Sequence, residues 1–185
     1  PQKKSRVIIE NERQIAAYHE AGHAVVGKFA GEADPIQKIT IIPRGEAAGA
    51  TFFLPENERR ILPKKYLLAQ LAVCMGGRVG EMMKFNDESS GASSDFYNAT
   101  NIAQWMVCKW GMSDVIGKIS VHDHDDSQAK AINAEIKRLT DEAYEKASEI
   151  VKQHSSAWEA LAQALLKKET LNKEEVEKIF KTTPN

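Results

Sequence analysis

The sequence predicts a mainly α-helical domain that carries one small β-hairpin. Apolar residues recur at helical spacing in six segments of the 185-residue chain, and one stretch between residues 36 and 54 instead contains two short runs typical of strands. The composition, with 42% hydrophobic and 28% charged residues, is that of an ordinary globular protein and excludes a wholly disordered chain. At about 150 residues per domain, the length allows one domain, or one with an appendage.

The first predicted helix spans residues 11–29. Its inward-facing residues recur three or four positions apart, and they are Ile15, His19, Gly22, Val26 and Phe29. Gly31 and Pro35 follow and end the helix. A histidine therefore lies on the face that points towards the core.

Two strands are predicted next, at residues 39–42 and 51–54. Pro43-Arg44-Gly45 and the small residues up to Gly49 join them as a hairpin. The second strand has two interpretations that the sequence leaves open. It is an ordinary hairpin partner, or residues 49–54 also pair with an extended peptide by strand addition.

Five further helices complete the predicted fold. Three follow from apolar spacing, at residues 63–83, 93–111 and 127–154, and the first of these contains a Gly-Gly pair that favours close helix packing. Two shorter helices follow the capping pairs Ser156–Glu159 and Asn172–Glu175. No internal repeat or low-complexity tract interrupts them.

Charge and hydropathy exclude several classes of function. Lys and Arg total 25 against 26 for Asp and Glu, a net charge of −1, which excludes nucleic-acid binding and membrane-surface binding driven by positive charge. The most apolar run, Tyr66 to Gly77, is too short to span a bilayer. Cys74 and Cys108 lie in apolar helical patterns, which favours two reduced and packed thiols. The chain begins with Pro1 rather than Met, which favours a fragment or a processed product.

The most specific motif is His19-Glu20-Ala21-Gly22-His23. On a helix the two histidines lie one turn apart, so both imidazoles reach a single ion, and two nitrogen donors suit Zn²⁺. Glu20 flanks that position, where a carboxylate can accept a proton from water. The alternative is a pair of hydrogen-bonded core histidines without a metal. The pattern favours a metal site.

A catalytic zinc site needs a third protein ligand. No histidine follows the motif at a short spacing, since the others are His122, His124 and His154. Four carboxylates are candidates: Glu81 on the second helix, Asp87 and Glu88 in the polar loop after it, and Asp95 in or next to the first turn of the third helix. Asp95 has an alternative interpretation, because an acidic residue in the first turn of a helix is also stabilised by the helix dipole without any metal. Spacing does not separate Asp95 from Glu81.

Residues 116–126 form the least regular stretch of the sequence. A short strand is expected at residues 118–121. The alternating histidines and aspartates from His122 to Asp126 are interpreted as a solvated loop, with a second metal site as the alternative.

A series of short motifs continues in order along nearly the whole chain. They are Lys3-Lys4-Ser5-Arg6-Val7-Ile8, residues 17–24, Ile41-Ile42-Pro43-Arg44-Gly45, Leu54-Pro55-Glu56, Met75-Gly76-Gly77-Arg78-Val79, Gly91-Ala92-Ser93-Ser94-Asp95, Ala99-Thr100, Trp110-Gly111-Met112-Ser113 and Glu169-Thr170-Leu171. In this order they resemble the peptidase domain of the FtsH-type proteases, which are membrane-anchored AAA+ zinc metalloproteases. Several ordered motifs are far more specific than one five-residue pattern.

The resemblance implies roles for the candidate site residues. Asp95 is expected to be the third ligand beside His19 and His23, with one Zn²⁺ per chain. Glu81 matches a family glutamate near the site, and Glu20 is expected to act as the general base. The fold implied is a single metallopeptidase domain over residues 1–185, with a zinc-binding core at about 1–112 and a C-terminal helical part at about 127–183.

The resemblance also implies partners that this sequence lacks. The chain has no phosphate-binding loop and no transmembrane helix, so an AAA+ ATPase domain and a membrane anchor are expected N-terminal to Pro1 in a parent chain. ATP acts only through that absent domain. The parent is expected to be a homohexamer that degrades unfolded polypeptides, with this soluble domain on the cytoplasmic side of a bacterial membrane or inside an organelle.

Two rival functions remain at this stage. One is a non-catalytic helical oligomerisation scaffold whose metal site is structural. The intact Glu20 argues against it, because a structural site has no use for a base beside an open ligand position. The other is a zinc hydrolase that acts on small molecules, which nothing in the sequence favours.

Overall fold

The computed structural model describes residues 10–122 and 126–184 of the chain, and their architecture is mainly α. Along these residues the elements are α1 (Glu10–Phe29), β1 (Ile36–Thr40), β2 (Ala50–Phe53), α2 (Lys64–Phe85), a 3₁₀ turn (Ser90–Ala92), α3 (Ser93–Cys108), α4 (Asp126–Gln153), α5 (Ser155–Lys168), β3 (Thr170–Asn172) and α6 (Lys173–Thr182). The predicted helical fold class is confirmed. The motif at residues 3–8 lies outside the described residues.

The strands form one antiparallel sheet in the order β2-β1-β3. Ile39 in the central strand faces Thr51 on one side and Leu171 on the other. The predicted pairing of two strands is confirmed, although β1 begins three residues earlier than expected. The third strand was not predicted, because three residues are too few to show an alternating pattern.

The strand expected at residues 118–121 is wrong. These residues follow turns at 114–116 and have no strand assignment. The Val121 N–H donates to the Cys108 carbonyl at 2.8 Å, a single hydrogen bond to the end of α3 rather than part of a ladder. This segment therefore closes over α3 without joining the sheet.

Glycines bring α1 and α2 into backbone contact. A Cβ atom at Gly22 would lie 2.1 Å from the Gly76 carbonyl oxygen, and one at Gly80 would lie 2.2 Å from the Tyr18 carbonyl oxygen. No larger side chain fits at such distances. The Gly-Gly pair of α2 thus serves the close helix packing that the sequence predicts, and it holds the histidine turn of α1 against α2.

The core surrounds α1, which is buried continuously from residue 16 to residue 27. α2 and α5 pack on this helix, the sheet packs beside it, and α4 packs on α2 and α3. Trp158 of α5 contacts the Tyr18 ring edge-on and donates from its indole nitrogen to the Tyr18 carbonyl at 3.2 Å. The buried stripe of α4 follows the predicted spacing, and no helix of the described residues is long and apolar enough to cross a membrane.

The two capping pairs have different outcomes. The Asn172 side chain accepts from the Glu175 N–H at 2.9 Å and caps α6, so that prediction is confirmed. The Ser156–Glu159 pair is wrong, since α5 begins at Ser155 without a side-chain cap. α4 passes almost directly into α5, and Glu159 instead accepts a 2.6 Å hydrogen bond from the Tyr18 hydroxyl.

Candidate metal centre

Three side-chain donor atoms converge between α1 and the start of α3. The His19 and His23 Nε2 atoms lie 3.0 Å apart, and the Asp95 Oδ2 atom lies 3.1 Å from the first and 3.2 Å from the second. Both histidines are 7% exposed. In the described residues this is the one group of at least three His, Cys, Asp or Glu side chains close enough to hold a metal ion.

This donor set fits Zn²⁺. Zinc bonds imidazole nitrogen and carboxylate oxygen at about 2.0–2.2 Å, and tetrahedral geometry then separates neighbouring ligand atoms by about 3.3 Å. The observed separations of 3.0 to 3.2 Å are close to that value. Two neutral imidazoles and one carboxylate are also a common ligand set of catalytic zinc.

Hydrogen bonds on the far side of each imidazole orient the ring. The His23 Nδ1 atom lies 2.7 Å from the Val73 carbonyl oxygen, which can only accept, so Nδ1 carries the proton. The His19 Nδ1 atom lies 2.6 Å from the Glu81 Oε1 atom. Both Nε2 lone pairs are thereby left free to bind a metal.

Glu81 lies behind His19 rather than among the three donors. Its side chain is almost fully buried, and its Oε2 atom accepts a 2.9 Å hydrogen bond from the Ser89 N–H. Burial raises the pKa of Glu81, but the hydrogen bonds from His19 and Ser89 outweigh it and lower the pKa below its usual range. Sequence spacing did not decide whether Asp95 or Glu81 is the third ligand. In the structure Asp95 faces the Nε2 atom of His19, and Glu81 faces its Nδ1 atom.

The remaining candidate carboxylates lie farther out. Glu88 accepts a 2.6 Å hydrogen bond from the Arg78 guanidinium, and Asp87 is exposed and accepts from the Glu88 N–H. His122 is also exposed, and residues 123–125 of the possible second metal site lie outside the described residues. Neither Asp87 nor Glu88 joins the three donors.

Arg78 ties the loop before α3 to the metal centre. Its guanidinium donates to Glu88 and to the Ser89 carbonyl, the latter at 2.7 Å, and it lies over the Phe96 ring at 5.0 Å from the centroid. Phe96 follows Asp95 directly in the sequence. Sequence reasoning missed this role, although a charged residue within an apolar helical pattern is a sign of a buried partner.

The position of the His19 ring depends on Gly77. A Cβ atom at this glycine would lie 2.3 Å from the His19 Nε2 and Cε1 atoms. Any side chain here would displace the imidazole, because real carbon atoms do not approach so closely. The second glycine of the pair thus makes room for a ligand, while Gly76 contacts the α1 backbone.

Glu20 is 6% exposed and contacts the beginning of β2. Its Oε2 atom accepts a 2.6 Å hydrogen bond from the Thr51 hydroxyl. A Cβ atom at Gly49 would lie 3.0 Å from the Glu20 Cγ atom, so the backbone there packs directly against the side chain. The sequence predicted Glu20 from the motif but did not predict Thr51 as its partner.

The electrostatics of the site favour a positive charge between the carboxylates. Burial lowers the pKa of His19, but the hydrogen bonds to Asp95 and Glu81 outweigh it and raise the pKa to about 10. Burial raises the pKa of Asp95, while its hydrogen bonds with His19 and His23 bring it below the usual range. A cation, whether a proton or a metal ion, is therefore stabilised here.

The two cysteines take no part in the donor group. Both are free and half-buried, as expected for packed reduced thiols. Burial raises the pKa of the Cys74 thiol to about 12. A thiol with that pKa is protonated at neutral pH and is a poor metal ligand.

Comparison with known proteins gives a consistent result over almost the whole chain. The model of a family described as Peptidase family M41 matches residues 6–179. The chain is 43% identical over 197 residues to "ATP-dependent zinc metalloprotease FtsH 2" of Methylacidiphilum infernorum, covering 98% of this chain and 31% of that protein. It is 40% identical over 195 residues to "ATP-dependent zinc metalloprotease FtsH" of Rubrobacter xylanophilus, covering 97% of this chain and 30% of that protein.

A relative from a plant gives a similar match. The chain is 39% identical over 201 residues to "ATP-dependent zinc metalloprotease FTSH 1, chloroplastic" of Arabidopsis thaliana, covering 97% of this chain and 28% of that protein. The chain thus spans about a third of the length of the curated relatives it matches.

Proposed function

The chain belongs to peptidase family M41, and we propose that it is the zinc-dependent endopeptidase domain of a larger ATP-dependent protease. The observation that carries this proposal is the donor group of His19, His23 and Asp95, whose two histidines lie on the same turn of α1 as the buried Glu20. The names of the relatives support the metal and the reaction.

One Zn²⁺ per chain would be held by His19, His23 and Asp95. Glu81 and the Val73 carbonyl would keep the two imidazoles in the orientation that binding requires. Bound zinc supplies Lewis acidity, which polarises the scissile carbonyl and lowers the pKa of water.

Glu20 would act as general base and then as general acid. Its carboxylate accepts one proton from water, whose oxygen forms the new bond to the carbonyl carbon. As the carbon–nitrogen bond breaks, the same proton is delivered to the leaving nitrogen. The burial of Glu20 supports this role, because neighbouring groups hold a buried carboxylate in a fixed position.

The substrate would be an unfolded polypeptide lying along β2. In the described residues β2 pairs with β1 on one side, which leaves its other edge open for strand addition. Thr51 of β2 contacts Glu20, so a peptide on this edge would pass close to the base. The exposed apolar side chain of Leu54, immediately after the strand, supports contact with apolar substrate residues.

We further propose that the parent chain carries an AAA+ ATPase domain and a membrane anchor and assembles as a homohexamer. The relatives are named as ATP-dependent, and this chain matches about a third of their length. The division of residues 1–185 into a core at about 1–112 and a helical part at about 127–183 remains a prediction. The location of the domain at the cytoplasmic side or in an organelle interior also remains a proposal.

The test combines zinc analysis with cleavage of unfolded casein by the zinc-loaded chain. Wild type is expected to bind one zinc ion and to cleave casein slowly, without stimulation by ATP. Glu20→Gln is expected to keep zinc and lose about 100-fold or more in rate, the range of general acid–base catalysis. Asp95→Asn is expected to lose zinc. Full activity in Glu20→Gln, as a structural metal site would give, contradicts the proposal.

A further inference from the structure

The carboxylate of Glu20 is held by β2 through one side-chain hydrogen bond. The Thr51 Oγ1 atom lies 2.6 Å from the Glu20 Oε2 atom and 3.2 Å from the Glu20 backbone oxygen. A threonine hydroxyl carries a single proton, and the shorter distance assigns that proton to the carboxylate. Thr51 therefore donates to Oε2.

The other carboxylate oxygen is in a different environment. Within the described part of the chain, no group donates a hydrogen bond to the Glu20 Oε1 atom. This oxygen lies on the side of Gly49, where a Cβ atom would come within 3.1 Å of it. One oxygen is thus tied by a donor, and the other is confined by backbone but free to accept a proton.

We propose that Thr51 is the positioning residue of the general base: it ties the Glu20 Oε2 atom and leaves Oε1 to accept the proton from water. This inference rests on the proposed function of Glu20. It assigns separate tasks to the two oxygens, since a hydrogen bond to one of them stops the carboxylate from rotating about its last side-chain bond.

The position of Thr51 also links substrate binding to the chemical step. Thr51 is the second residue of β2 and is paired with Ile39 of β1, so its backbone is fixed by the sheet. The strand proposed to bind the peptide is then the same strand that orients the base. Loss of the hydroxyl should leave peptide binding along β2 largely intact, because strand addition uses backbone groups.

The experiment compares Thr51→Val with Thr51→Ser in the zinc-loaded chain, using a fluorescently labelled unfolded casein. Valine has nearly the same shape as threonine but no hydroxyl, and serine keeps the hydroxyl. We expect Thr51→Val to lower kcat by roughly 10- to 100-fold with KM changed by less than about twofold, a loss smaller than that of removing the base. Thr51→Ser should retain kcat within about threefold of wild type.

Thr40→Val provides a matched control in the same sheet. The Thr40 hydroxyl bonds the Thr170 hydroxyl at 2.8 Å and lies 3.2 Å from the Glu169 carbonyl, on the side of β3. This variant should lose stability without losing kcat. Zinc affinity, measured by competition with a chelator, should stay unchanged in Thr51→Val, since within the described residues the Thr51 hydroxyl bonds Glu20 and none of the three donor residues.

The outcomes separate this inference from the proposed function. Unchanged kcat in Thr51→Val beside an inactive Glu20→Gln overturns the role of Thr51 alone, and so does an effect confined to KM or a failure of serine to restore the rate. Full activity in Glu20→Gln overturns the proposed function instead. If Thr51→Val does not fold, Thr51→Ala against Thr51→Ser gives the same comparison of chains without and with the hydroxyl.

Discussion

Glu81 in α2 and Glu135 in α4 are both buried glutamates, and each lies three residues from an arginine on its own helix. In α4 the arginine bonds the glutamate directly, with Arg138 Nε at 2.8 Å and Nη2 at 3.1 Å. In α2 the Arg78 Nε atom is 3.7 Å from Glu81, and the hydrogen bonds of this arginine go to the loop before α3. The same short-range pair is therefore used in two different ways.

The difference shows how the surroundings assign a buried carboxylate its task. Glu135 is satisfied by Arg138 and by the Ser113 hydroxyl at 2.6 Å, so it joins α4 to the segment after α3. Glu81 is left for His19 because Arg78 is engaged elsewhere. A structural ion pair and an orienting group for a metal ligand thus arise from the same spacing.

Among variants that keep all three zinc ligands, the largest effect on zinc binding is expected from Gly77→Ala. The new Cβ atom would lie 2.3 Å from the His19 ring, so the imidazole must leave its place among the donors. The substitution displaces the His19 imidazole, which is itself a zinc ligand, and not merely a group that orients a ligand. Zinc affinity should therefore fall by more than about 100-fold in chelator competition. Gly91→Ala is the control, since its Cβ atom would meet the movable Ser89 hydroxyl at 3.1 Å and the Glu81 Oε1 atom only at an ordinary contact distance of 3.8 Å. Equal affinities in the two variants would refute the steric role of Gly77.

A smaller loss is expected from Glu81→Gln, which tests the comparison directly. The amide keeps the shape of the side chain but removes the charged acceptor of the His19 Nδ1 proton. Zinc affinity should fall by roughly 10- to 100-fold, the usual cost of losing such a partner. The matched variant Glu135→Gln should bind zinc as wild type does. If both variants bind zinc equally, the distinction between the two glutamates is wrong.

Much of the fold could be predicted from the sequence, because long amphipathic helices repeat their pattern many times. α4 was predicted within a residue at each end. β3 has only three residues and is defined by its pairing with β1, some 130 positions earlier in the chain. The local sequence therefore does not predict it. The capping pair at Ser156 failed because α4 runs almost directly into α5, a matter of tertiary packing.

The residues of the candidate site also divide into those that the sequence predicted and those that it did not. The motif on one turn of α1 indicated His19, His23 and Glu20, since a single helix fixes their spacing. The family resemblance, now confirmed, singled out Asp95, which spacing could not. The roles of Thr51 and Arg78 were not predicted, because their contacts form only where β2 packs on α1 and where the loop before α3 packs on α2. Their roles became visible once β2 and the loop before α3 were in place.

The smallest effect is expected from the pH dependence of the Glu135 pair, and it appears in stability rather than in zinc binding. The hydrogen bonds from Arg138 and Ser113 hold the pKa of Glu135 below its usual range in the folded chain. A lowered folded pKa stabilises the fold at pH values above the unfolded pKa, about 4.3, and this contribution is lost as the pH falls through the folded pKa. Glu135→Gln should therefore lower the free energy of unfolding by about 1–2 kcal/mol at pH 7. The difference in unfolding free energy between variant and wild type should narrow below about pH 4, because protonation removes the same charge from the wild-type side chain.

Urea unfolding at a series of pH values measures this difference, with Glu149→Gln, an exposed position of the same helix, as the control. A gap that stays constant with pH would mean that Glu135 stabilises α4 by packing alone, and the contrast with Glu81 would then rest on geometry and not on charge.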